Sequence, residues 1–292
     1  MPTDPVAEAI AQFGLDVVDV RPVPDSYSST VRFIELSSGQ RVVLKIPYVR
    51  RKLLREMRAI HELSDLPVPR LIDAWVPDDV SPGALLLSRL PGTVIHGALT
   101  SDLAWQMGRL LARVHTHTFP HYGDVEDAAG QEAPGWWAMK RARLDLWKPY
   151  CAQVLAPSLY SEAITLYDTL GADLPAPDGP VWTHNDYRPG NILVEYGDVT
   201  GLIDFESSRG GSADYDFTKI SLEVWPSGRG TRDAFLSGYA TVRPVPEIDR
   251  TLPLYQLHNA LGGIAWCVRR TDTNDPFYRE NLSVIEHMVA GA

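Results

Sequence analysis

Apolar positions in the first ninety residues recur in short, valine- and isoleucine-rich runs. Segments 16–23, 30–36 and 40–47 read as strands, with Ser37-Ser38-Gly39-Gln40 as a turn between the last two. Successive side chains of a strand point to opposite faces. In the third run Val42, Leu44 and Ile46 therefore share one face, and Arg41, Val43 and Lys45 the other. The period then changes. Over 50–64, Leu53, Met57, Ile60 and Ser64 form a stripe flanked by Leu54, His61 and Leu63, which predicts a helix. Leu66-Pro67-Val68-Pro69 ends it, and two further strands are expected at 71–76 and 84–89.

Leu90-Pro91-Gly92 interrupts this pattern, and helical periodicity dominates afterwards. Helices are predicted over 101–118, with Ser101 and Asp102 as caps, over 158–170, and repeatedly after Asp214. Strand-like runs return only at 181–184, 192–195 and 199–203. Residues 120–135 read as loop and 174–180 as a proline-rich connector. The expectation is an α+β chain of two lobes. Residues 1–89 form a small antiparallel-sheet lobe with one main helix, residues 90–292 a larger, mostly helical lobe, and the hinge lies at about 86–92.

Composition narrows the function classes. The formal charge is −10, from 37 acidic and 27 basic residues, which speaks against nucleic acid as a partner. No apolar run reaches the roughly 18 residues of a membrane span. The N-terminus lacks a basic start and an apolar core, so no secretory signal is read there. Cys151 and Cys267 are isolated and suggest neither a disulfide framework nor a zinc site. These features point to the cytoplasm, with a small molecule as partner and a monomer or homodimer as the assembly.

The chemistry is concentrated in Val181–Glu206. Asp186 precedes Asn191 by five residues, Asp204 follows thirteen further on, and His184 stands two before Asp186. A carboxylate in the turn can orient an attacking hydroxyl and take its proton. A neutral amide oxygen at Asn191 can coordinate magnesium without adding charge to an anionic site, and Asp204 is a main metal ligand. His184 is expected to brace the turn, with Asp216 as a structural carboxylate beneath it.

His184-Asn185-Asp186-Tyr187-Arg188-Pro189-Gly190-Asn191 resembles the catalytic loop of the aminoglycoside phosphotransferase and choline kinase superfamily, and Ile203-Asp204-Phe205-Glu206 its metal-binding motif. Asn185 stands where the family usually has glycine, and Ser212-Ala213 replaces an aspartate-proline pair ahead of Asp216. The resemblance implies a protein-kinase-like fold, ATP (or GTP) and Mg2+. It also implies a lysine on the third strand and a glutamate on the next helix, which Lys45 and Glu56 supply; Glu62 is the rival partner. A phosphate-covering loop is expected at 24–30. It contains no glycine, so Ser28 and Ser29 are its candidate contacts. Leu87 and Arg89 fall in the segment expected to meet the adenine through backbone groups.

On the acceptor the residues say less. The acidic balance, with Glu206, Asp214 and Glu223 expected near the site, favours a cationic hydroxyl compound such as an aminoglycoside or related antibiotic. A metabolic kinase acting on choline, a fructosamine or homoserine is the alternative. Trp136, Trp137, Trp225 and Trp266 are candidates for lining a flatter pocket or for ordinary core packing. A protein kinase is disfavoured by the missing glycine loop, and a catalytically dead module by the intact Lys45, Asp186, Asn191 and Asp204 set.

Overall fold

The computed structural model describes residues 4–23, 28–77, 82–126, 135–172 and 174–292. The chain opens with α1 (Pro5–Gln12), whose first turn is capped by the Asp4 side chain at the Val6 amide. Strands β1 (Val17–Pro22), β2 (Ser29–Leu36) and β3 (Arg41–Pro47) follow, then α2 (Arg50–Glu62), β4 (Leu71–Trp75) and β5 (Ala84–Ser88). These strands form an antiparallel sheet of order β1-β2-β3-β5-β4. Gly39, at φ 79°, makes the β2–β3 turn.

The two faces of this sheet have different tasks. Val42, Leu44, Ile46, Ala84 and Leu86 pack with Ile34 against Val6 and Ala9 of α1. The opposite face presents Leu85 and Leu87 to α2, where Leu53 and Ile60 lie. Lys45 belongs to this second face, so its ammonium points toward the cleft. The apolar cluster under α2 continues without a break into Leu111, Tyr187, Ile192, Phe205 and Phe217. The site loops are thus anchored in the same core as the lysine strand.

After β5 come β6 (Thr93–Val94), α3 (Ser101–Val114), α4 (Trp136–Val154) and α5 (Pro157–Ala172). Strands β7 (Val181–Thr183), β8 (Ile192–Glu195), β9 (Asp198–Leu202) and β10 (Arg209–Gly211) carry the site loops, followed by α6 (Phe217–Glu223), α7 (Thr231–Ala240), α8 (Ile248–Arg269) and α9 (Pro276–Ala290). β6, β8 and β9 form one small sheet and β7 pairs with β10. Helices α4, α5, α8 and α9 enclose a second core around Trp136, Tyr167, Tyr255, Leu261 and Ile285. α3 and α7 cross closely, because a Cβ on Gly108 would stand 2.0 Å from the Phe235 carbonyl and one on Gly238 2.0 Å from that of Trp105. Among the described residues, no helix is long and apolar enough to cross a membrane.

The α+β expectation agrees with this architecture, a sheet lobe followed by a helical one. Several local expectations do not hold. The α3 cap is Thr100, whose Oγ1 accepts from the Leu103 amide at 3.2 Å, rather than Ser101 or Asp102. α1 and α4 went unpredicted. α4 contains Pro149 and spreads its apolar residues around the whole barrel, which hides its period.

Candidate active site

Two backbone devices shape the site. Asn185 and Asp204 both adopt left-handed conformations, at φ 61° and φ 70°. This region is costly for residues other than glycine, with Asn and Asp its most tolerant occupants. Asn185, two residues beyond the end of β7, turns Asp186 out of the strand direction. Asp204 does the same after β9.

The Asn185 turn is held from below. The Asp216 carboxylate accepts from the amides of His184 (2.8 Å) and Asn185 (2.6 Å), and from His115 Nε2 (3.1 Å). His115, the residue capping the C-terminal end of α3, is buried, and burial lowers its pKa despite the hydrogen bond and charge of Asp216. The Asp216 carboxylate can only accept, so Nε2 donates to it, and in the neutral ring Nδ1 accepts from the Tyr239 hydroxyl (2.9 Å). His184 Nδ1 accepts from the Asp186 amide (3.3 Å), and its Nε2 faces the Ile203 carbonyl (3.0 Å). The Ile203 amide in turn donates to the Asn191 carbonyl (3.0 Å). One imidazole thus ties the Asp186 turn to the segment before Asp204. Tyr187, fully buried, donates to the Met107 carbonyl (2.7 Å) and fastens the turn to α3.

Asp186 is partly exposed at its side chain. Asn191 Nδ2 donates to its carbonyl (2.8 Å) and to Oδ2 (3.1 Å), while Arg188 Nε and Lys219 Nζ lie 3.4 and 3.5 Å from its carboxylate. With the Asn191 amide hydrogens so engaged, its carbonyl oxygen is turned away from Asp186.

Across the cleft, Lys45 Nζ stands 2.6 Å from Glu56 Oε2, 2.6 Å from Asp204 Oδ1 and 3.5 Å from Glu206 Oε2. Lys45 and Glu56 are 5% and 2% exposed, so water does little to screen them. Burial opposes the Lys45 charge, yet Asp204, Glu56 and Glu206 outweigh it and raise its pKa above the ordinary lysine value. Burial likewise pushes the Glu56 carboxyl up, against the pull of Lys45. The carboxylates of Glu56, Asp204 and Glu206 offer oxygens within 4.8 Å of one another. Glu206 Oε2 is buried without a hydrogen bond among the described residues. An oxygen-rich, partly unsatisfied set of this kind suits a hard divalent cation, so the residues fit magnesium. Asp204, with about a third of its side chain exposed, faces the open side.

The structure links Lys45 to Glu56 and Asp204, and joins Asp186 to Asn191 and His184 to Asp216, while Glu62 pairs with Arg58 at 2.7 Å. Other residues need correction. Glu206 does not face the acceptor side: it pairs with Lys52 Nζ (2.7 Å), accepts from the Ser28 hydroxyl and lies beside Lys45. Asp214 is buried and already bonded to Ser212 and to the Tyr255 hydroxyl (3.1 Å). Leu87 has its side chain in the core, leaving only its backbone for any ligand. Arg89 stacks over Phe33 at 4.2 Å. Ser29 is buried at the start of β2; residues 24–27 of the expected covering loop lie outside the described residues. Trp136 and Trp137 pack in the helical core, Trp266 meets Phe277 edge-on, and Trp225 packs against the main core under Arg232. Lys52 and His115 were missed. Lys52 had a readable signal, since it shares a helical face with Glu56 four residues on.

The family model for the phosphotransferase enzyme family (APH) matches residues 19–253, which include Lys45, Glu56, Asp186, Asn191, Asp204 and Asp216. The chain belongs to the phosphotransferase enzyme family. It is 30% identical over 152 residues to a homoserine kinase from Neisseria meningitidis serogroup B. That match takes in 50% of this chain and 46% of the kinase, so the chain spans about half the length of this curated relative. Among solved structures it resembles macrolide 2'-phosphotransferase MphH from Brachybacterium faecium, at TM-score 0.67 and 19% identity over 97% of this chain and 98% of that one. It also resembles a thermostable mutant of aminoglycoside phosphotransferase APH(4)-Ia, at TM-score 0.73 and 16% identity over 97% of both chains. A GDP and kanamycin complex of APH(2")-IIia is similar as well, at TM-score 0.73 and 17% identity over 98% of both. These likenesses show a shared fold.

Proposed function

We propose that this chain transfers the γ-phosphate of ATP to a hydroxyl of a small molecule. The observation that carries the reading is the buried Lys45 between Glu56 and Asp204, the latter 159 residues away in sequence and tied to the Asp186 turn through the Ile203–Asn191 and Asn191–Asp186 hydrogen bonds. In this reading the acceptor oxygen bonds to the γ-phosphorus as the bond to the β–γ bridging oxygen breaks. The hydroxyl proton passes to Asp186, and ADP leaves. Lys45, aligned by Glu56, meets the α- and β-phosphates. Asn191, through its carbonyl oxygen, and Asp204 would hold Mg2+, whose charge would offset that of the phosphates, with Glu206 on the same side. Ser28 and Ser29 are the candidate phosphate contacts at the start of β2. The backbone from Leu87 to Arg89 would meet the adenine at a hinge, about 86–92, between lobes 1–89 and 90–292. The neighbour solved with GDP supports a nucleotide there, with GTP as the competing donor. A cytoplasmic monomer or homodimer belongs to the same reading.

For the acceptor we favour a metabolic hydroxyl compound, of the kind the homoserine kinase relative is named for. Of the three acidic residues that pointed to a cationic antibiotic, Glu206 and Asp214 are engaged elsewhere. The antibiotic reading keeps one supporting residue. Burial raises the Glu223 pKa while Lys219 and Arg188 pull it down and Asp186 pushes it up, so Glu223 lies within electrostatic reach of Asp186. Acceptor-dependent ADP release across hydroxylated amines, amino acids and antibiotics tests the proposal. Stimulation that requires Mg2+ and disappears in Asp186→Ala supports it, and stimulation that survives in that variant counts against it.

A further inference from the structure

The helix that carries Glu56 begins with Arg50, Arg51 and Lys52, has Arg55 one turn on, and holds no acidic residue in its first turn. Positive charge at a helix N-terminus is unfavourable, because the helix dipole already places positive charge there. Acidic residues from beyond β5 answer three of these cations. Lys52 Nζ reaches Glu206 (2.7 Å), Arg51 Nε reaches Glu126 (3.2 Å), and Arg55 pairs with Asp124. The Arg55–Asp124 pair is the most deeply buried, at 7% and 0% exposed. Arg55 donates twice to Asp124 Oδ2, from Nε at 2.7 Å and from Nη2, while Oδ1 accepts from the Val125 amide at 2.8 Å. Burial opposes the Asp124 charge, yet Arg55 holds its carboxyl below the ordinary value.

Asp124 is fixed to the frame of the reaction site. His121 Nε2 donates to its carbonyl (2.8 Å). Gly123 and Gly210 exchange amide-to-carbonyl hydrogen bonds of 3.0 Å in both directions, which joins this segment to β10. The approach is close, since a Cβ on Gly210 would stand 2.1 Å from the His121 carbonyl. β10 follows the Asp204 turn and pairs with β7, which leads to Asp186. On a helix, residues four apart share a face. Arg51 and Arg55 therefore face Glu126 and Asp124, while Lys52 and Glu56 face Glu206 and Lys45. Two neighbouring faces of α2 are tied, so the helix cannot turn about its axis without breaking one set. A buried ion pair adds little net stability, because desolvation offsets its attraction. Its larger consequence here is the direction in which Glu56 points.

We propose that Arg55 and Asp124 are positioning residues for phosphoryl transfer, their ion pair fixing α2 against the frame of Asp186 and Asp204 and so holding Glu56 on Lys45. This deepens the phosphoryl-transfer reading and rests on it. Neither residue touches the reacting groups. Without the pair Glu56 leaves Lys45, and the ammonium, left to Asp204 and Glu206, is no longer aligned for the nucleotide phosphates.

The test is a double-mutant cycle on Mg–ATP affinity, read by calorimetry on the full chain, with unfolding midpoints measured alongside. Arg55→Met should weaken Mg–ATP binding about tenfold, and Arg55→Lys, which keeps the charge, should recover part of the loss. In a Glu56→Gln background, where the Lys45 partner is already lost, the same Arg55→Met change should weaken binding less than about twofold. Asp124→Asn keeps the side-chain volume and an acceptor for the Val125 amide. It should reproduce the Arg55→Met result, and it carries the cycle if Arg55→Met does not fold. A merely structural pair would lower the unfolding midpoint and leave the affinity of the folded protein unchanged, or would weaken binding by the same factor in both backgrounds. Either result overturns the positioning role and leaves phosphoryl transfer standing, as does a failure of both Arg55→Met and Asp124→Asn to fold. Wild-type protein that binds no Mg–ATP removes the phosphoryl-transfer reading itself.

Discussion

Asp216 makes no contact with the reacting groups, yet the geometry of Asp186 depends on it. Replacing it by alanine leaves three buried donors without an acceptor: the amides of His184 and Asn185 and Nε2 of His115. Each unsatisfied buried donor costs about 1–3 kcal/mol, and water entering the gap would recover part, so a loss of roughly 3–5 kcal/mol follows. In a chain of this size that is a fall of about 10 °C in the unfolding midpoint. The kinetic effect is separate. Asn185 sits at φ 61°, and its amide hydrogen bond to Asp216 holds it there. Without it the Asp186 carboxylate drifts, and a displacement of about 1 Å is enough for a loss of roughly a hundredfold in kcat. Asp216→Asn keeps one acceptor oxygen and should fall between wild type and Asp216→Ala on both scales. Urea unfolding followed by far-UV circular dichroism reads the first quantity, and single-turnover phosphorylation the second. An Asp216→Ala protein within 1 kcal/mol of wild type, with unchanged turnover, would refute the reasoning.

Other expectations are simpler. Asp204→Ala should weaken Mg2+-dependent nucleotide binding while leaving the metal-free affinity little changed, as read by calorimetry at several Mg2+ concentrations. Gly238→Val forces a side chain into the Trp105 carbonyl, 2.0 Å from where its Cβ would stand; it should cost about 3 kcal/mol or more in unfolding free energy. Lys140, at about 7 in the folded chain against 10.5 for a free side chain, carries a burial penalty fully present below pH 7. Between about pH 7 and 10.5 the unfolded chain binds the extra proton, so stability from this group rises with pH. The advantage of Lys140→Met over wild type in urea unfolding should therefore be larger at pH 6 than at pH 9, and an advantage independent of pH would contradict the assignment.

Much of the sheet lobe was legible because its strands alternate and its turn carries Ser-Ser-Gly. The face assignment of β3 placed Val42, Leu44 and Ile46 together and Lys45 opposite, and the structure packs α1 on the first set. α1 itself gave no warning, being eight residues with two buried side chains. α4 was invisible for another reason: its buried Trp136, Lys140 and Cys151 serve different neighbours, and Pro149 argues against a helix. At the site, short spacings were readable because Asp186, Asn191 and Asp204 are fixed by local turns. The side of the cleft a residue faces depends on long-range packing. Glu206 stands two residues after Asp204, yet a tight helical turn of the chain sends it to Lys52 and Ser28.

The central claim is that Asp186 takes the acceptor proton in a site whose nucleotide grip is built by Lys45, Asn191 and Asp204. Single-turnover phosphorylation by Asp186→Asn, alongside Mg–ATP affinity, tests it most directly. The account predicts a loss of about 10²–10⁴ in rate, the range for a general base, with nucleotide affinity within about twofold of wild type because in this reading the Asp186 carboxylate meets the acceptor hydroxyl and not the nucleotide. Near wild-type turnover in that variant would contradict it.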